Sequence, residues 1–512
     1  MINKKQYFLI IVFLIFPILI LPTQKKIIYS GMNYLPKTLD PAQAWDDVSA
    51  FFTFNIFDTL VKTNPKTFKM ESSLATSWEK KNNGSIWIFK LRKGVIFHDG
   101  SNFDSDSVVF SFKRQIDKNF KFIYYDFPMS EDIFGNIKDV KKIDQYSVAF
   151  YLKKPFYPFL STLACSAASI VSPSGVKKYK EKFQKNPIGT GPYVLKKWEE
   201  NKRLTLKANP KYWGGKPEID EFINISNPNI EILHNLFQKK KIDALFAFSI
   251  SKLMGLKSLK WITIDSFPTF SVNFIAFNFN NKYLRNKNIR KIFCHLWDER
   301  TLKYVFQNTI SPLSSIIPSG MLGYSKETAK KSFSISKAKE LMKKEKLPLK
   351  TVFHFILEDS SMLTFQLISL YSKNLKKVGI KLKIHNIPEK EYLEKIKKGD
   401  YDLTISGWIA DYPDTSSIIN PMFSEKLHKQ GFSNLSLCKN KEILKDLNLV
   451  SKTKSLKGRE ALYKKISRII NRNVLCIPIF QHKETVIYNN EKIKRIYISP
   501  LGSITFFDIK KR

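Results

Sequence analysis

Two periods alternate along residues 351–406. Thr351–Leu357 is apolar and β-prone, Met362–Val378 has helical spacing that ends at Gly379, and Ile380–Asn386 alternates like a strand. Glu389–Lys398 is amphipathic and closes at Gly399, as helices do. Tyr401–Ser406 then predicts a short strand, with Leu403 and Ile405 alternating against Asp402 and Thr404. Gly407 is expected to release the backbone, and Trp408–Pro413 to form a loop bent by Pro413. Alternation of this kind predicts an α/β fold with parallel strands joined by helical crossovers. In such sheets ligands sit beyond the carboxyl ends of strands. Gly407, Trp408 and Asp411 are therefore expected just past a strand end, as the first candidates for a site.

The preceding pattern is mixed. Ile27–Tyr34 reads as a strand, Leu35–Pro41 as a loop with two prolines, and Val48–Leu60 as a helix. Asn83-Gly84 predicts a hairpin turn, and Ile86 and Ile88 alternate against Trp87, Phe89 and Leu91. Asp104 or Ser105 is placed to cap a helix through Val108–Ile116. Tyr193–Trp198 and Arg203–Ala208 read as strands, Glu231–Lys240 as a helix, and Phe270–Phe279 as a strand. Asn288–Arg300 and Gly458–Asn471 are expected helices, and a strand is expected near Ile479–Val486. Before all of this, Lys4 and Lys5 precede an apolar run, Tyr7–Leu21, broken only by Pro17. That is the pattern of a secretory signal, short for a membrane span. Leu21-Pro22-Thr23-Gln24 offers no small-x-small cleavage site, so a cleaved peptide and a retained signal anchor both stay open.

Composition narrows the function. The 512 residues can bury a large core in more than one lobe. A net charge of +40, from 85 Lys+Arg against 45 Asp+Glu, raises nucleic-acid binding, but no binding motif or long basic tract accompanies it. A solvated lysine surface accounts for it better. The four cysteines are far apart with no C-x-x-C, leaving a disulfide after export and buried free thiols as the two readings. Seven histidines show no metal-ligand spacing, and no G-x-S-x-G elbow is present. Gly189 and Gly191 are followed by Pro192 and make no phosphate loop. Asp411 and Asp414 could be drawn as an acid–base pair, but in a proline loop they read more simply as a ligand contact and a turn cap. No cofactor, metal site or catalytic residue is expected.

Several motifs, in order, carry a family resemblance. "Trp-Ile-Phe-Lys-Leu-Arg-Lys-Gly-Val-Ile-Phe-His-Asp-Gly" from Trp87, "Asp-Ser-Val-Val-Phe-Ser-Phe-Lys-Arg" from Asp106, "Asn-Pro-Ile-Gly-Thr-Gly-Pro-Tyr" from Asn186 and "Tyr-Asp-Leu-Thr-Ile-Ser-Gly-Trp-Ile-Ala-Asp-Tyr" from Tyr401 resemble the bacterial extracellular solute-binding proteins, family five. The resemblance implies a periplasmic binding protein-like fold of two main lobes with crossing hinge strands and an accessory α+β lobe. Implied boundaries are 1–24 for the signal, 25–63, 184–272 and 483–512 for lobe I, 64–183 for the accessory lobe II, and 273–482 for lobe III with the ligand loop. Arg92 and His98 fall in scaffold. The implied function is capture of short peptides and delivery to an inner-membrane ABC permease, in the periplasm, by a monomer that is not an enzyme and binds no nucleic acid.

Asp411 matches the acidic residue that accepts a peptide's α-ammonium in peptide-binding relatives. The alternative is an Asx-turn in which it satisfies only loop amides. Trp45 either walls the pocket or packs on the following helix. One departure concerns Ile405, which stands where some oligopeptide binders carry an arginine for the peptide carboxylate. Glutathione, haem or nickel-complex binding on the same fold is the alternative function, and peptide hydrolysis the alternative from another class.

Overall fold

The structure is a computed structural model that describes residues 25–44, 46–64, 69–127, 130–246, 248, 253–306, 309–326, 332–348, 350–358, 362–423, 434–502 and 504–511. The expected signal segment and Trp45 lie outside the described residues.

A twelve-stranded mixed sheet organises the chain. In chain order its strands are β1 (Ile27–Met32), β2 (Tyr193–Glu199), β3 (Arg203–Ala208), β4 (Glu221–Ser226), β5 (Ala244–Leu245) and β6 (Ile262–Pro268). The second six are β7 (Ser271–Phe277), β8 (Ile310–Pro312), β9 (Val352–Glu358), β10 (Lys381–Ile387), β11 (Leu403–Ile409) and β12 (Cys476–Asn489). Their order is β10-β9-β11-β7-β12-β5-β1-β4-β3-β2, with β6 and β8 also on β12. The pairs β9–β10 and β9–β11 are parallel, as the helical crossovers Met362–Lys376 and Glu389–Lys398 require.

β12 joins the two halves of this sheet. Its first residues pair with β7, from Cys476 to Phe480, and its last pair with β6, from Lys483 to Asn489. β6 and β7 follow each other with only Thr269 and Phe270 between them. Two strands therefore run side by side from one half to the other. Gln481 ties them where they turn, its amide donating to the Thr269 carbonyl at 2.5 Å.

Each half has its own core. Ile28, Phe52, Phe222, Val486 and Phe506 pack in the near half. In the far half, period-2 alternation divides β7 between two cores: Ile275 and Phe277 face one, Phe274 and Ala276 the other. Both faces are covered, which is why these strands are nearly all apolar. A four-stranded antiparallel sheet, Ala75–Lys81, Ile86–Leu91, Ser147–Leu152 and Ile137–Asp144, forms a third body with Trp87, Phe89, Phe112 and Phe150 in its core. The helix Ser105–Ile116 covers it, capped by the Asp104 carboxylate, which accepts the Ser107 N–H.

Three boundaries differ from the sequence reading. β11 continues through Gly407 and Trp408 to Ile409, because β7 supplies partners along its whole length, Asn273 for Gly407 and Val272 for Trp408. The helix expected to Leu60 stops at Ile56, whose carbonyl is taken by the Gly191 N–H at 2.9 Å. A Cβ on Gly189 or Gly191 would stand 2.2 or 2.6 Å from that same oxygen, so both glycines serve this close approach. The helix expected to Arg300 ends at His295, and a second one runs Arg300–Phe306. The Asp298 carboxylate accepts the Arg300 N–H at its start.

Candidate functional site

β11 brings Gly407 and Trp408 to the mouth of the cleft as strand residues, not loop residues. A Cβ on Gly407 would lie 2.7 Å from the Asn273 Oδ1, so the glycine keeps this rung of the sheet tight. Trp408 is half-buried against the core of the far half, and its indole N–H is shielded from solvent without a partner among the described residues. The Ala410 N–H donates to the Phe270 carbonyl at 2.8 Å, ending the ladder beside the hinge.

Asp411 begins the turn that follows. Its N–H donates to Ser417 Oγ at 2.7 Å, and among the described residues its carboxylate has only the Ser417 hydroxyl at 3.5 Å, at the limit of a hydrogen bond. Burial pushes the Asp411 carboxyl up to about 7, and the charge of Asp132 adds to the rise. Asp414 differs in every respect. Its Oδ1 accepts the Ser416 N–H at 3.0 Å and the Tyr463 hydroxyl, and its Oδ2 accepts Arg459 Nη1 at 3.2 Å. Asp414 is the turn cap, held in a filled network. Asp411 is left without a strong partner.

Tyr412, between them, is buried in the accessory core beside Cys165. It docks the site loop onto that body. The Tyr157 N–H donates to the Ser451 carbonyl at 3.0 Å in a second tie between the two.

A cavity of about 330 Å³ lies where the three bodies meet, walled by Asp46 and Asp47, by Ala167, by Trp408 and Asp411, and by Leu501. Gly407 also lines it. Its charged residues are all acidic, and no lysine, arginine or histidine stands on its wall among the described residues. Asp46 caps the helix Asp47–Ile56 through Oδ1, which accepts the Ser49 N–H at 2.9 Å, while its Oδ2 is shielded and has no partner among the described residues. Asp47 keeps an exposed face, and desolvation of the rest of it, with the neighbouring Asp46 charge, raises its carboxyl. Glu484 of β12, exposed in the same way, is raised by desolvation and by the Asp47 charge. Asp46, Asp47 and Glu484 were not singled out in the sequence. The only available signal was their place after the proline loop and at the crossing strand.

Other candidates resolve as scaffold. His98 accepts the Gly189 N–H through Nδ1 at 3.4 Å and so donates from Nε2 to the Gly191 carbonyl at 2.9 Å. Burial holds it neutral, down at about 4. Arg92 donates to the Ser73 carbonyl and lies over the Trp213 ring. His354 and His385 meet across β9 and β10, with Nδ1 and Nε2 3.0 Å apart, but no group of three metal-ligating side chains forms among the described residues. None of the four cysteines is joined in a disulfide among the described residues. Ile405 packs at the edge of a far-half core, so no charge replaces the arginine at that position.

The model of the bacterial extracellular solute-binding proteins, family 5 Middle, matches residues 69–429. Among curated relatives, the dipeptide-binding protein of Escherichia coli is 27% identical, covering 89% of this chain and 88% of that one. The heme-binding protein A of Haemophilus influenzae is 24% identical, covering 89% and 86%. Among solved structures, HbpA2 from Haemophilus parasuis superposes with a TM-score of 0.87 at 23% identity, covering 95% of this chain and 100% of that one. DppA from Helicobacter pylori, in complex with the peptide STSA, gives 0.79 at 25% identity, covering 95% and 98%. With the matched region spanning well over half of its length, the chain belongs to the bacterial extracellular solute-binding proteins of family 5.

Proposed function

We propose that the protein captures short peptides in the cleft between its lobes and delivers them to an inner-membrane ABC permease. The division into lobe I (25–63, 184–272, 483–512), accessory lobe II (64–183) and lobe III (273–482) is part of that reading. The observation that carries it is the Asp411 carboxylate, at the cleft wall with no cation beside it among the described residues. A peptide's α-ammonium supplies one. The ionised carboxylate then gains a charge-assisted bond in place of an unmet desolvation cost. Gly407 and Trp408 present the adjacent strand to the cleft, where an extended peptide can pair by main chain and leave its side chains to hydrated space. Trp45 would wall the same cleft. The relatives that bind dipeptides support the choice of ligand.

The protein acts by binding, as a monomer, without chemistry on the peptide and without nucleic acid. It works in the periplasm, either freed from its N-terminal segment or tethered by it. N-terminal sequencing of the exported protein separates the two forms, since a start at Met1 shows the tether.

Mass spectrometry of small molecules carried through gentle purification identifies the ligand class. A peptide is expected, and haem or glutathione would overturn the reading. The residue is tested by Asp411→Asn, which keeps the shape and removes the charge. Free-amine peptides should weaken by about 30-fold or more, the low end of the cost of stranding one partner of a buried charge pair. N-acetylated peptides should barely change. Equal loss for both kinds would return Asp411 to a structural role.

A further inference from the structure

The protein carries 85 Lys+Arg against 45 Asp+Glu, yet the cleft wall shows only carboxylates. A cavity lined in proportion to this composition would be basic. The reversal is local, and it extends past the one carboxylate that a single ammonium needs. Asp46 and Asp47 line the cavity from the helix of one lobe, whereas Asp411 lines it from the loop of another. Asp46 is fixed in place because Oδ1 is engaged by the cap, and Oδ2 has no donor among the described residues. Glu484, on the hinge strand, is raised by desolvation and by the Asp47 charge. No ion pair joins any of these four to a lysine, arginine or histidine among the described residues. The cleft is thus built for more positive charge than an α-amino group brings, with no fixed cation to match a negative one.

We infer that the cleft selects peptides bearing a second positive charge, a lysine or arginine side chain close to the N terminus, which Asp46 and Asp47 hold while Asp411 meets the α-ammonium. This rests on the peptide reading above and adds the ligand's charge class to it. Two adjacent like charges, with Asp47 raised by desolvation and by the Asp46 charge, relax when a cation enters between them. Selection against acidic peptides follows from the same wall, since a like charge in an enclosed cleft is excluded.

The test is calorimetry on the purified full chain at low ionic strength with Ala-Ala-Ala, Ala-Lys-Ala, Ala-Glu-Ala and spermidine. Ala-Lys-Ala should bind at least about tenfold tighter than Ala-Ala-Ala, and Ala-Glu-Ala more weakly than either. In the Asp46→Asn/Asp47→Asn double variant the lysine-to-alanine ratio should fall toward one. Asparagine retains the helix cap, so the fold is kept. Asp47→Asn alone, which touches no cap, gives the same readout if the double variant does not fold. Equal affinity for the lysine and alanine peptides overturns the inference and leaves the peptide reading standing, as does a ratio unchanged in the variants. Spermidine binding above every peptide overturns it in favour of a polyamine. Absence of binding by all three peptides removes the peptide reading itself.

Discussion

Arg114 donates from Nη2 to Asp40 Oδ2 over 2.6 Å, and both side chains are almost wholly buried. The pair fastens the Leu39-Asp40-Pro41 loop of one lobe to the helix Ser105–Ile116 of the accessory body. Tyr125 adds its hydroxyl to the same oxygen, and the Phe127 and Phe183 rings lie against the guanidinium. Removing one partner of such a pair leaves a buried charge unmet, which costs on the order of 3–5 kcal/mol. Arg114→Met should therefore lower the urea midpoint by that amount of stability. Arg114→Met with Asp40→Leu should recover much of it. A single variant as stable as the wild type would show that Asp40 is solvated or neutral in the folded protein.

Asp411 and Asp414, three residues apart, should respond oppositely to the same substitution. Asp414→Asn deprives Arg459 and Tyr463 of their anion and should cost roughly 2–4 kcal/mol at neutral pH. Asp411→Asn removes a carboxylate whose ionised form is disfavoured by its surroundings, and should stabilise the unliganded protein above pH 7. Thermal unfolding of both variants at pH 8 reads the difference directly. Destabilisation by Asp411→Asn would reveal a structural partner for that carboxylate.

The raised Asp411 carboxyl also fixes a pH dependence. Its folded value, about 7, lies above the unfolded one, so its contribution to stability is full below about pH 4 and is lost as pH rises to 7. Unfolding of wild type minus Asp411→Asn isolates that slope. Binding runs the other way. A free-amine peptide needs the ionised form, so complex formation below pH 7 should release a proton. Affinity should fall by up to about tenfold per pH unit below that point. Calorimetry at pH 6 in buffers of different ionisation enthalpy checks both. No proton release would mean that the ammonium binds elsewhere.

Closure about β6–β7 and β12 is the general behaviour of two lobes joined by paired strands. Saturating peptide should reduce the radius of gyration in small-angle scattering. A hundredfold excess over Kd should add roughly 3 kcal/mol of stability by mass action. An unchanged radius with raised stability would indicate a preclosed cleft.

The alternating elements from Val352 to Lys398 and the accessory hairpin were legible because their signals are local: a turn at Asn83-Gly84, a cap at Asp104, a stop at Gly399. The run of β11 through Gly407 was not, since its continuation depends on β7, more than a hundred residues earlier. The burial of Tyr412 in the accessory core and the orphaned Oδ2 of Asp46 depend on lobes meeting, and no periodicity reports that. Asp411 itself was legible only through its position after a strand and its resemblance. The contrast with Asp414 came from counting partners in space.

β12 has a consequence for how the chain is made. Residues 476–489 complete the sheet in both halves, yet they are the last of its twelve strands to leave the ribosome. Until then β6 and β7 lack the strand that pairs them on that side, and β7 is nearly all apolar. Neither main lobe can close its sheet vectorially, and a chain cut short before Cys476 would present two adhesive edges rather than one finished lobe. Late truncations should thus end in aggregation, and the hinge doubles as the last fastening in assembly.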